Sequence, residues 1–199
     1  VSEWLSLFPG SICLTLNDRS PQGTTDVPEV THEIIENLKL KNQGIFFTPN
    51  GCKGSRSSEN IYQVNACFAD FDEGSKGMQM EKIKNLSLSP SAIVESKRGY
   101  HAYWIFSVPS KNLRLWERLQ VAIIKSCGSD KSIKDLPRMM RLPFSWHTKT
   151  EDKWKLKVTE WSGVLYTIDE VELAFPPEPE SKSYMYKNSN YSRDLRLPQ

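Results

Sequence analysis

The segment 92–106 constrains the fold of this chain more than any other feature of its sequence. It reads AIVESKRGYHAYWIF, two arms rich in β-branched and aromatic residues on either side of a basic turn that contains Gly99. This pattern predicts a β-hairpin. Because the two strands of a hairpin are antiparallel neighbours, at least part of the chain is expected to build an antiparallel sheet.

Helical and extended patterns alternate on both sides of this hairpin. Strands are predicted at residues 45–48, 61–71 and 154–161, the last with alternating apolar and charged residues. Helices are predicted at residues 31–40, 78–86, 113–127 and 167–174. The interleaving of the two patterns favours a mixed α/β core with an antiparallel hairpin.

The end of the chain differs in composition from the rest. Pro176, Pro177 and Pro179 end the predicted folded domain, which covers residues 1–175. Residues 176–199 are rich in serine, asparagine, tyrosine and charge, and they are expected to form a linker or flexible tail. A linker at this point indicates a further domain in the full protein, and a plain disordered tail is the alternative.

The balance of charge says little about the partner of the protein. The 199 residues include 26 lysines and arginines against 24 acidic residues, which gives a formal net charge of +2. Bulk charge therefore does not indicate a nucleic-acid partner. Any basic surface must come from local clustering of cations.

The cysteines and the apolar runs indicate a cytoplasmic protein without a membrane partner. Cys13, Cys52, Cys67 and Cys127 are scattered, lack the spacing of a zinc site and are expected to be buried thiols in a reducing compartment. No zinc is predicted. The apolar runs are too short to span a bilayer, and the first ten residues lack the features of a signal peptide.

Two acids at the end of a predicted strand are the sharpest chemical feature. The segment 68–74 reads FADFDEG, and alternation places Asp70 and Asp72 on the same face of the strand, with Glu73 on the other. Two neighbouring carboxylates repel each other unless a cation lies between them, and Mg²⁺ or Mn²⁺ prefers such oxygen ligands. The alternative is a pair of solvated acids where a strand enters a polar loop.

The turn of the predicted hairpin carries a second candidate group. Lys97, Arg98 and His101 crowd this turn between apolar arms, where they could bind phosphates. The alternative is a surface hairpin in which the histidine has a structural role.

A third group lies in the segment 129–149. It offers Asp130 and Asp135 and then the basic residues Arg138, Arg141, His147 and Lys149. A salt-bridge network among these residues is the structural alternative. Taken with the first two groups, however, they supply what nucleotidyl transfer requires, namely carboxylates for two divalent ions and cations for a triphosphate. The sequence has no Walker A loop, no G-x-S-x-G elbow and no HExxH motif, which other chemistries would need.

In the order and spacing of these motifs the sequence resembles the archaeo-eukaryotic primase superfamily, especially the primase-polymerases of plasmids, phages and mobile elements. That family has an acidic pair after a strand, a motif that ends in histidine, and a third aspartate followed by Arg-Leu-Pro. The corresponding residues here are Asp70 with Asp72, His101 within SKRGYH, and Asp130 ahead of RMMRLP. The resemblance runs from about residue 44 to residue 149.

The resemblance implies a set of site residues. Asp70, Asp72 and Asp130 would be catalytic and would ligate Mg²⁺ or Mn²⁺ in a two-metal site. Asp130 is chosen over Asp135 because its offset from Arg141 is the one usual in the family, and Asp135 is expected to support the fold or pair with an arginine. The nucleotide-binding residues would be His101, Lys97, Arg98, Arg138, Arg141 and Lys149.

Two departures from the family pattern accompany the resemblance. Gly99 stands two residues before His101, where the family often has a small polar residue. Many relatives read RLPG followed by an asparagine, whereas Phe144 and His147 occupy those places here. These changes could alter nucleotide preference and leave the metal ligands intact.

The resemblance also implies a fold and partners. The fold would be an RRM-like antiparallel sheet with flanking helices, joined to a smaller N-terminal α/β unit, with the active cleft between them. The partners would be single-stranded DNA template, ribo- or deoxyribonucleoside triphosphates, and a helicase or template-recognition domain. Lys53 and Arg56, in the loop of residues 49–60, are predicted to bind template phosphates. Tyr100, Tyr103 and Trp104 could stack on bases, although core positions are the alternative that burial favours.

Three functions follow from these expectations. The first is template-directed synthesis of primers or longer strands from nucleoside triphosphates. The second is replication initiation by a protein of the same fold that binds an origin with weak or no synthesis. The third is a metal-dependent nuclease that uses the same acids on a phosphodiester.

Overall fold

The computed structural model describes residues 1–19 and 23–179. The helices in this part of the chain are α1 (Ser2–Ser6), α2 (His32–Leu40), α3 (Lys76–Lys84), α4 (Leu113–Cys127) and α5 (Ile168–Ala174). The first strands are β1 (Cys13–Asn17), β2 (Thr25–Asp26), β3 (Gln43–Phe47), β4 (Gly51–Cys52), β5 (Ile61–Phe71) and β6 (Ala92–Glu95). The later strands are β7 (Tyr100–Ser110), β8 (Met140–Arg141), β9 (Trp146–His147), β10 (Trp154–Lys155) and β11 (Lys157–Trp161).

The larger sheet is antiparallel and is built around the predicted hairpin. Its strand order is β11-β6-β7-β5-β4. Strands β6 and β7 pair from Ala92 opposite Tyr103 to Glu95 opposite Tyr100, which confirms the hairpin. Strand β5 lies against the other side of β7, with Asp70 directly opposite His101. The sheet therefore places the first acid and the histidine of two separate motifs side by side.

Helix α4 packs against β5 and has the bounds that the sequence predicts. Asn112 caps its first turn, and Gly128 ends it with a φ of 58°, in the left-handed region that glycine adopts without steric cost. The apolar face of the helix is buried, and the indole of Trp116 donates a 2.7 Å hydrogen bond to the carbonyl oxygen of Ala66. The amphipathic pattern thus defines both the helix and the face that it buries.

The smaller sheet belongs mainly to the N-terminal part of the chain. Its order is β2-β1-β3-β8, all antiparallel, and α1 and α2 accompany it. The rings of Trp4, Phe8 and Phe47 from this unit pack against Tyr103 of the larger sheet, with centroids 5.2–6.3 Å apart. The fold is thus the predicted combination of an antiparallel sheet with flanking helices and a smaller N-terminal α/β unit.

Two aromatic side chains of β7 belong to the core. Tyr103 and Trp104 are fully buried, whereas Tyr100 is only half-buried. Base stacking on Tyr103 or Trp104 is therefore excluded, and the core alternative is confirmed for both residues.

One predicted strand is wrong in its extent. Residues 154–161 form two strands in different sheets, because β10 pairs with β9 whereas β11 pairs with β6. Leu156, between them, is buried, and its amide donates to the carbonyl oxygen of Ser145. The chain changes sheets at this buried leucine, which the alternating pattern could not reveal.

The described chain ends beside α4. The carboxylate of Glu178 lies 2.8 Å from the ammonium of Lys125. The predicted tail lies outside the described residues from residue 180 onward. No helix in residues 1–19 and 23–179 is both long enough and apolar enough to cross a membrane.

Candidate active site

A cavity of about 220 Å³ brings together most of the residues that the sequence singles out. Both sheets contribute to its lining, from Phe46 of β3 to His101 of β7. The predicted site residues that line it are Asp70, Asp72, Lys97, Arg98, His101, Asp130, Arg138 and Arg141. Three motifs that are distant in the chain therefore share one concave site.

Asp70 and His101 form the floor of this cavity. The two residues are opposite each other on β5 and β7, and 3.7 Å separates His101 Nε2 from Asp70 Oδ1. Burial raises the pKa of the Asp70 carboxyl. The charges of Asp72 and Asp130 add to this effect, and a positive charge on His101 would oppose it. Burial likewise lowers the pKa of His101, which favours a neutral imidazole at neutral pH.

Asp130 is fixed beside Asp70 by the backbone. Its amide donates a 3.0 Å hydrogen bond to the carbonyl oxygen of Asp70. Its carboxylate accepts hydrogen bonds from the amide and the hydroxyl of Ser132, at 2.8 and 2.7 Å. The bond from the Ser132 amide is the main cause of the lowered pKa of Asp130. The third acid is thus ionised and close to the first.

A buried glutamine holds the Asp130 loop against the sheet. The side-chain amide of Gln120, on α4, donates to the carbonyl oxygens of Phe68 and Ile133, at 2.6 and 3.0 Å. Its oxygen accepts from the amide of Phe68. Gln120 therefore ties the acidic strand to the loop that follows Asp130. No motif in the sequence draws attention to it.

The hairpin turn is held on both sides by its own basic residues. Arg98 is largely exposed and lies 3.0 Å from the Asp72 carboxylate. Lys97 donates to the Thr150 hydroxyl and to the Asp152 carbonyl oxygen, each at 2.5 Å. One cation of the turn thus faces the acids, and the other fastens the turn to the segment 150–152.

Gly99 is required at this turn by a close approach of the backbone. A Cβ atom at this position would lie 1.8 Å from the Phe71 carbonyl oxygen and 2.3 Å from Gln79 Oε1. Any side chain here would push the turn away from the end of β5. The departure from the family pattern at Gly99 therefore has a steric reason in this chain.

Arg141 is held by an aspartate that the sequence does not reveal. Its guanidinium donates from Nη2 to Asp18 Oδ1 at 2.8 Å and from Nη1 to Asp18 Oδ2 at 3.0 Å. Asp18 also accepts bonds from the amide and the hydroxyl of Thr148, at 2.9 and 2.8 Å. The side chain of Asp18 is 4% exposed and that of Arg141 is 12% exposed, so this is a largely buried ion pair with two direct hydrogen bonds.

Gly44 provides the space for this pair. A Cβ atom at Gly44 would lie 2.2 Å from Arg141 Nη1 and 2.9 Å from Asp18 Oδ2. The Arg141 guanidinium also lies over the ring of Phe46, with 4.4 Å between Cζ and the ring centroid. Strand β3 thus shapes the wall of the cavity that presents Arg141.

Arg138 has partners within its own segment. It forms an ion pair with Asp135, as expected for that acid, and it donates to the carbonyl oxygen of Ser132. It lines the cavity next to the Asp130 loop.

Three predicted binding residues lie apart from the cavity lining. Lys149, Lys53 and Arg56 are exposed and are not among the residues that line it. Arg56 instead donates a 3.1 Å hydrogen bond to the carbonyl oxygen of Pro137. Their assigned roles in nucleotide or template binding remain predictions.

His147 lies in the cavity wall. Burial lowers its pKa, as do the charges of Arg141, Lys97 and Arg98, although the charge of Asp18 acts in the opposite direction. Its Nδ1 atom, like that of His101, is buried without a hydrogen-bond partner in the described part of the chain. The sequence places His147 among the basic residues of the third group and marks it as a departure from the family pattern, and the structure shows that it contributes a polar atom to the cavity wall.

The three acids offer the type of ligand that a divalent cation prefers, but their present positions do not form a metal site. Among residues 1–19 and 23–179, no group of three acidic, histidine or cysteine side chains is placed to hold a metal ion. Asp72 is paired with Arg98, and Asp130 is bonded to Ser132. The nearby carboxylates of Asp72 and Asp130 nevertheless contribute to the raised pKa of Asp70, and three carboxylates offer the oxygen ligands that Mg²⁺ and Mn²⁺ prefer. The donor set therefore fits such an ion.

Comparison with known proteins identifies the fold. No protein-family model matches the chain, and no curated protein matches its sequence. Among solved structures, the archaeo-eukaryotic primase domain of the primase-polymerase from cyanophage S-2L is similar, with a TM-score of 0.75 and 21% identity over 88% of this chain and 96% of that one.

Two structures of a second protein are also similar. Primase RepB' matches with a TM-score of 0.63 and 12% identity over 96% of this chain and 65% of that one. The catalytic domain of RepB' in complex with initiator DNA matches with a TM-score of 0.62 and 12% identity over 97% of this chain and 96% of that one. The chain therefore has the fold of archaeo-eukaryotic primase catalytic domains.

Proposed function

We propose that this protein is a DNA primase-polymerase that joins nucleotides on a single-stranded template with the help of divalent cations. The observation that carries the proposal is the convergence of Asp70, Asp72 and Asp130 on one cavity that also holds His101 and Arg141. The likeness in fold to a primase-polymerase and a primase supports the same function.

The residues of the cavity divide between two tasks. Asp70, Asp72 and Asp130 would hold Mg²⁺ or Mn²⁺, which when bound supplies charge stabilisation for the attacking hydroxyl and the leaving pyrophosphate. His101 is buried beside Asp70, and its neutral imidazole can donate one N–H to a phosphate oxygen.

Arginine and lysine would neutralise the triphosphate. Arg141 is pre-oriented by Asp18, so little side-chain entropy is lost when it binds a phosphate. Arg98 lies over Asp72 and is largely exposed, which leaves it able to exchange that carboxylate for a phosphate. Lys97 and Arg138 complete the cationic lining.

The cationic lining favours synthesis over hydrolysis. Four arginines and lysines surround the acids in a cavity of about 220 Å³. A triphosphate carries more negative charge than the single phosphodiester that a nuclease cleaves, so several cations match a triphosphate better. The nuclease alternative is therefore the weaker of the two catalytic candidates.

An origin-binding initiator of the same fold is the second candidate. Asp72 and Asp130 are engaged by Arg98 and Ser132, which is an arrangement that a protein without catalysis could keep. One of the similar structures is a primase catalytic domain in complex with initiator DNA. Such a protein would bind DNA through the same domain and make little or no product.

One assay separates these functions. The protein is incubated with Mg²⁺ or Mn²⁺, labelled ribo- or deoxyribonucleoside triphosphates and an unprimed single strand. Labelled oligonucleotides that disappear when EDTA is added are the expected result. Cleaved template would point to the nuclease, and DNA retention without products would point to the initiator.

A further inference from the structure

The ribbon of β9 and β10 extends the cavity wall outward. His147 of β9 lines the cavity and is paired with Trp154 of β10. Residues directly opposite each other in an antiparallel pair project from the same face. Trp154 is therefore the neighbouring side chain outside the cavity, on the face of the ribbon that carries His147.

Cations surround the half-buried ring of Trp154. The ammonium of Lys76 lies 4.2 Å from the centroid of the Trp154 ring, and that of Lys157 lies 5.7 Å from it. Lys76 is also 5.9 Å from the ring of Tyr100 and is paired with Glu95. An aromatic platform flanked by lysines is the arrangement that proteins use for single-stranded nucleic acid.

Lysines outnumber acids in the segment that contains the ribbon. The segment 146–157 contains Lys149, Lys153, Lys155 and Lys157. Its two acids are already paired with cations from elsewhere, Glu151 with Arg19 at 2.8 Å and Asp152 with Lys97 at 3.3 Å. Within the described residues, none of the four lysines has a carboxylate at ion-pair distance. A chain of nearly neutral net charge thus concentrates lysines without a close ion-pair partner, among the described residues, beside its candidate active site.

We propose that this surface, defined by Trp154, Lys149 and Lys157, binds single-stranded DNA next to the cavity. A base would stack on Trp154, and the exposed ammonium groups of Lys149 and Lys157 would contact the phosphates on either side. A single strand fits better than a duplex, because the base faces of a duplex are already stacked. The assignment of this strand as template rests on the proposed function.

This surface differs from the one that the sequence suggests. Lys53 and Arg56 lie in the loop of residues 49–60, outside the cavity lining, and the Arg56 guanidinium already donates to a carbonyl oxygen. The ribbon instead shares His147 with the cavity wall. A strand bound on the ribbon would therefore lie next to the cavity that holds the acids.

Binding of a fluorescein-labelled oligothymidylate, measured by anisotropy in EDTA without triphosphates, tests the proposal. Trp154→Ala is expected to weaken binding about tenfold, since stacking of one base contributes about that factor. Trp154→Phe keeps an aromatic face and is expected to bind within about threefold of the wild type. Lys157→Ala is expected to reduce the slope of log affinity against log salt by about 0.7.

Two matched controls lie elsewhere on the surface. Trp161 is 48% exposed at the far end of β11, and Lys84 is exposed at the end of α3. Trp161→Ala and Lys84→Ala are expected to bind the oligonucleotide as the wild type does. Wild-type affinity of Trp154→Ala, or an equal loss in Trp161→Ala, would overturn the proposal. So would equal losses in the alanine and phenylalanine variants of Trp154.

The result can be separated from that of the synthesis assay. Because binding is measured without metal or triphosphate, a protein that makes no product can still show the loss in Trp154→Ala. In that case the DNA-binding surface stands and the polymerase proposal fails. If products form and Trp154→Ala binds normally, the synthesis proposal stands and the surface is wrong.

Discussion

The backbone amide of Asp130 donates a 3.0 Å hydrogen bond to the carbonyl oxygen of Asp70. This bond joins the loop after α4 to the end of β5. It therefore fixes Asp130, the third acid of the candidate site, beside Asp70, the first. Because it uses only backbone atoms, it does not depend on the ionisation of either carboxylate. Neither carboxylate takes part in this contact between the two segments.

Asp70→Ala is expected to lower synthesis at least about a hundredfold, because it removes a charge that no neighbouring group replaces. The fold should persist, since the bond between the backbones of Asp70 and Asp130 does not involve the side chain. Product formation on an unprimed strand and circular dichroism measure the two effects. Glu73→Ala, in an exposed acid that follows β5 and does not line the cavity, is the control and should retain full activity. Synthesis by Asp70→Ala at the wild-type rate would remove the basis of the proposed function.

Asp18→Asn is expected to raise the KM for nucleoside triphosphate about tenfold with a smaller change in kcat, because Arg141 loses the carboxylate that orients it. Breaking a buried ion pair also costs about 3–5 kcal/mol of stability. Steady-state kinetics and urea unfolding measure the two effects. Asp26→Asn, in an exposed acid of β2, is the matched control. An unchanged KM in a folded Asp18→Asn protein would show that the Asp18–Arg141 pair does not contribute to triphosphate binding.

The contribution of Asp18 to stability should depend on pH in a defined direction. Burial would raise its pKa, but the hydrogen bonds and charge of Arg141 and the hydrogen bonds from Thr148 outweigh burial and hold the pKa below its ordinary value of 3.8. A carboxyl with a lowered pKa in the folded state stabilises the protein above its unfolded pKa. That contribution is lost as the pH falls through the folded value.

The measurement compares the free energy of unfolding of the wild type with that of Asp18→Asn. The difference should be constant between about pH 7 and about pH 5 and should shrink below about pH 4. A difference that grows as the pH falls below 4 would contradict the direction of the pKa shift.

Gly99→Ala is expected to destabilise the protein by about 1–3 kcal/mol, because the new methyl group would overlap the Phe71 carbonyl oxygen. Gly77→Ala, in α3, has no such contact and should instead stabilise the protein by about 1 kcal/mol through helix propensity. Urea unfolding of the two variants checks both signs. Equal effects of the two substitutions would show that the turn can move away from β5 without cost.

The sequence predicts the elements whose formation depends on local pattern. The bounds of α4 follow from its amphipathic period and Gly128, and β5 follows from its apolar run. The hairpin follows from its β-rich arms. The order of the three motifs along the chain predicts that Asp70, His101 and Asp130 share one site. These features are encoded by residues that are neighbours in the chain or by a pattern that a family shares.

The remaining features depend on contacts between distant segments. Asp18 is a single acid with no motif around it. Its partner Arg141 is distant in the chain and lies on β8, which pairs with β3. Gln120 looks like any polar residue of an amphipathic helix until the Asp130 loop folds over it. The division of residues 154–161 depends on the burial of Leu156, which local alternation does not specify.

The contact between Gly44 and the Asp18–Arg141 pair has an evolutionary consequence. Since a Cβ atom at position 44 would overlap the Arg141 guanidinium, a side chain there would displace the ion pair from its present position. Descendants of this chain that acquire alanine at position 44 should therefore also replace Asp18 or Arg141. The three positions are expected to covary as a linked set, although they lie on separate segments and only one of them carries a candidate nucleotide-binding group.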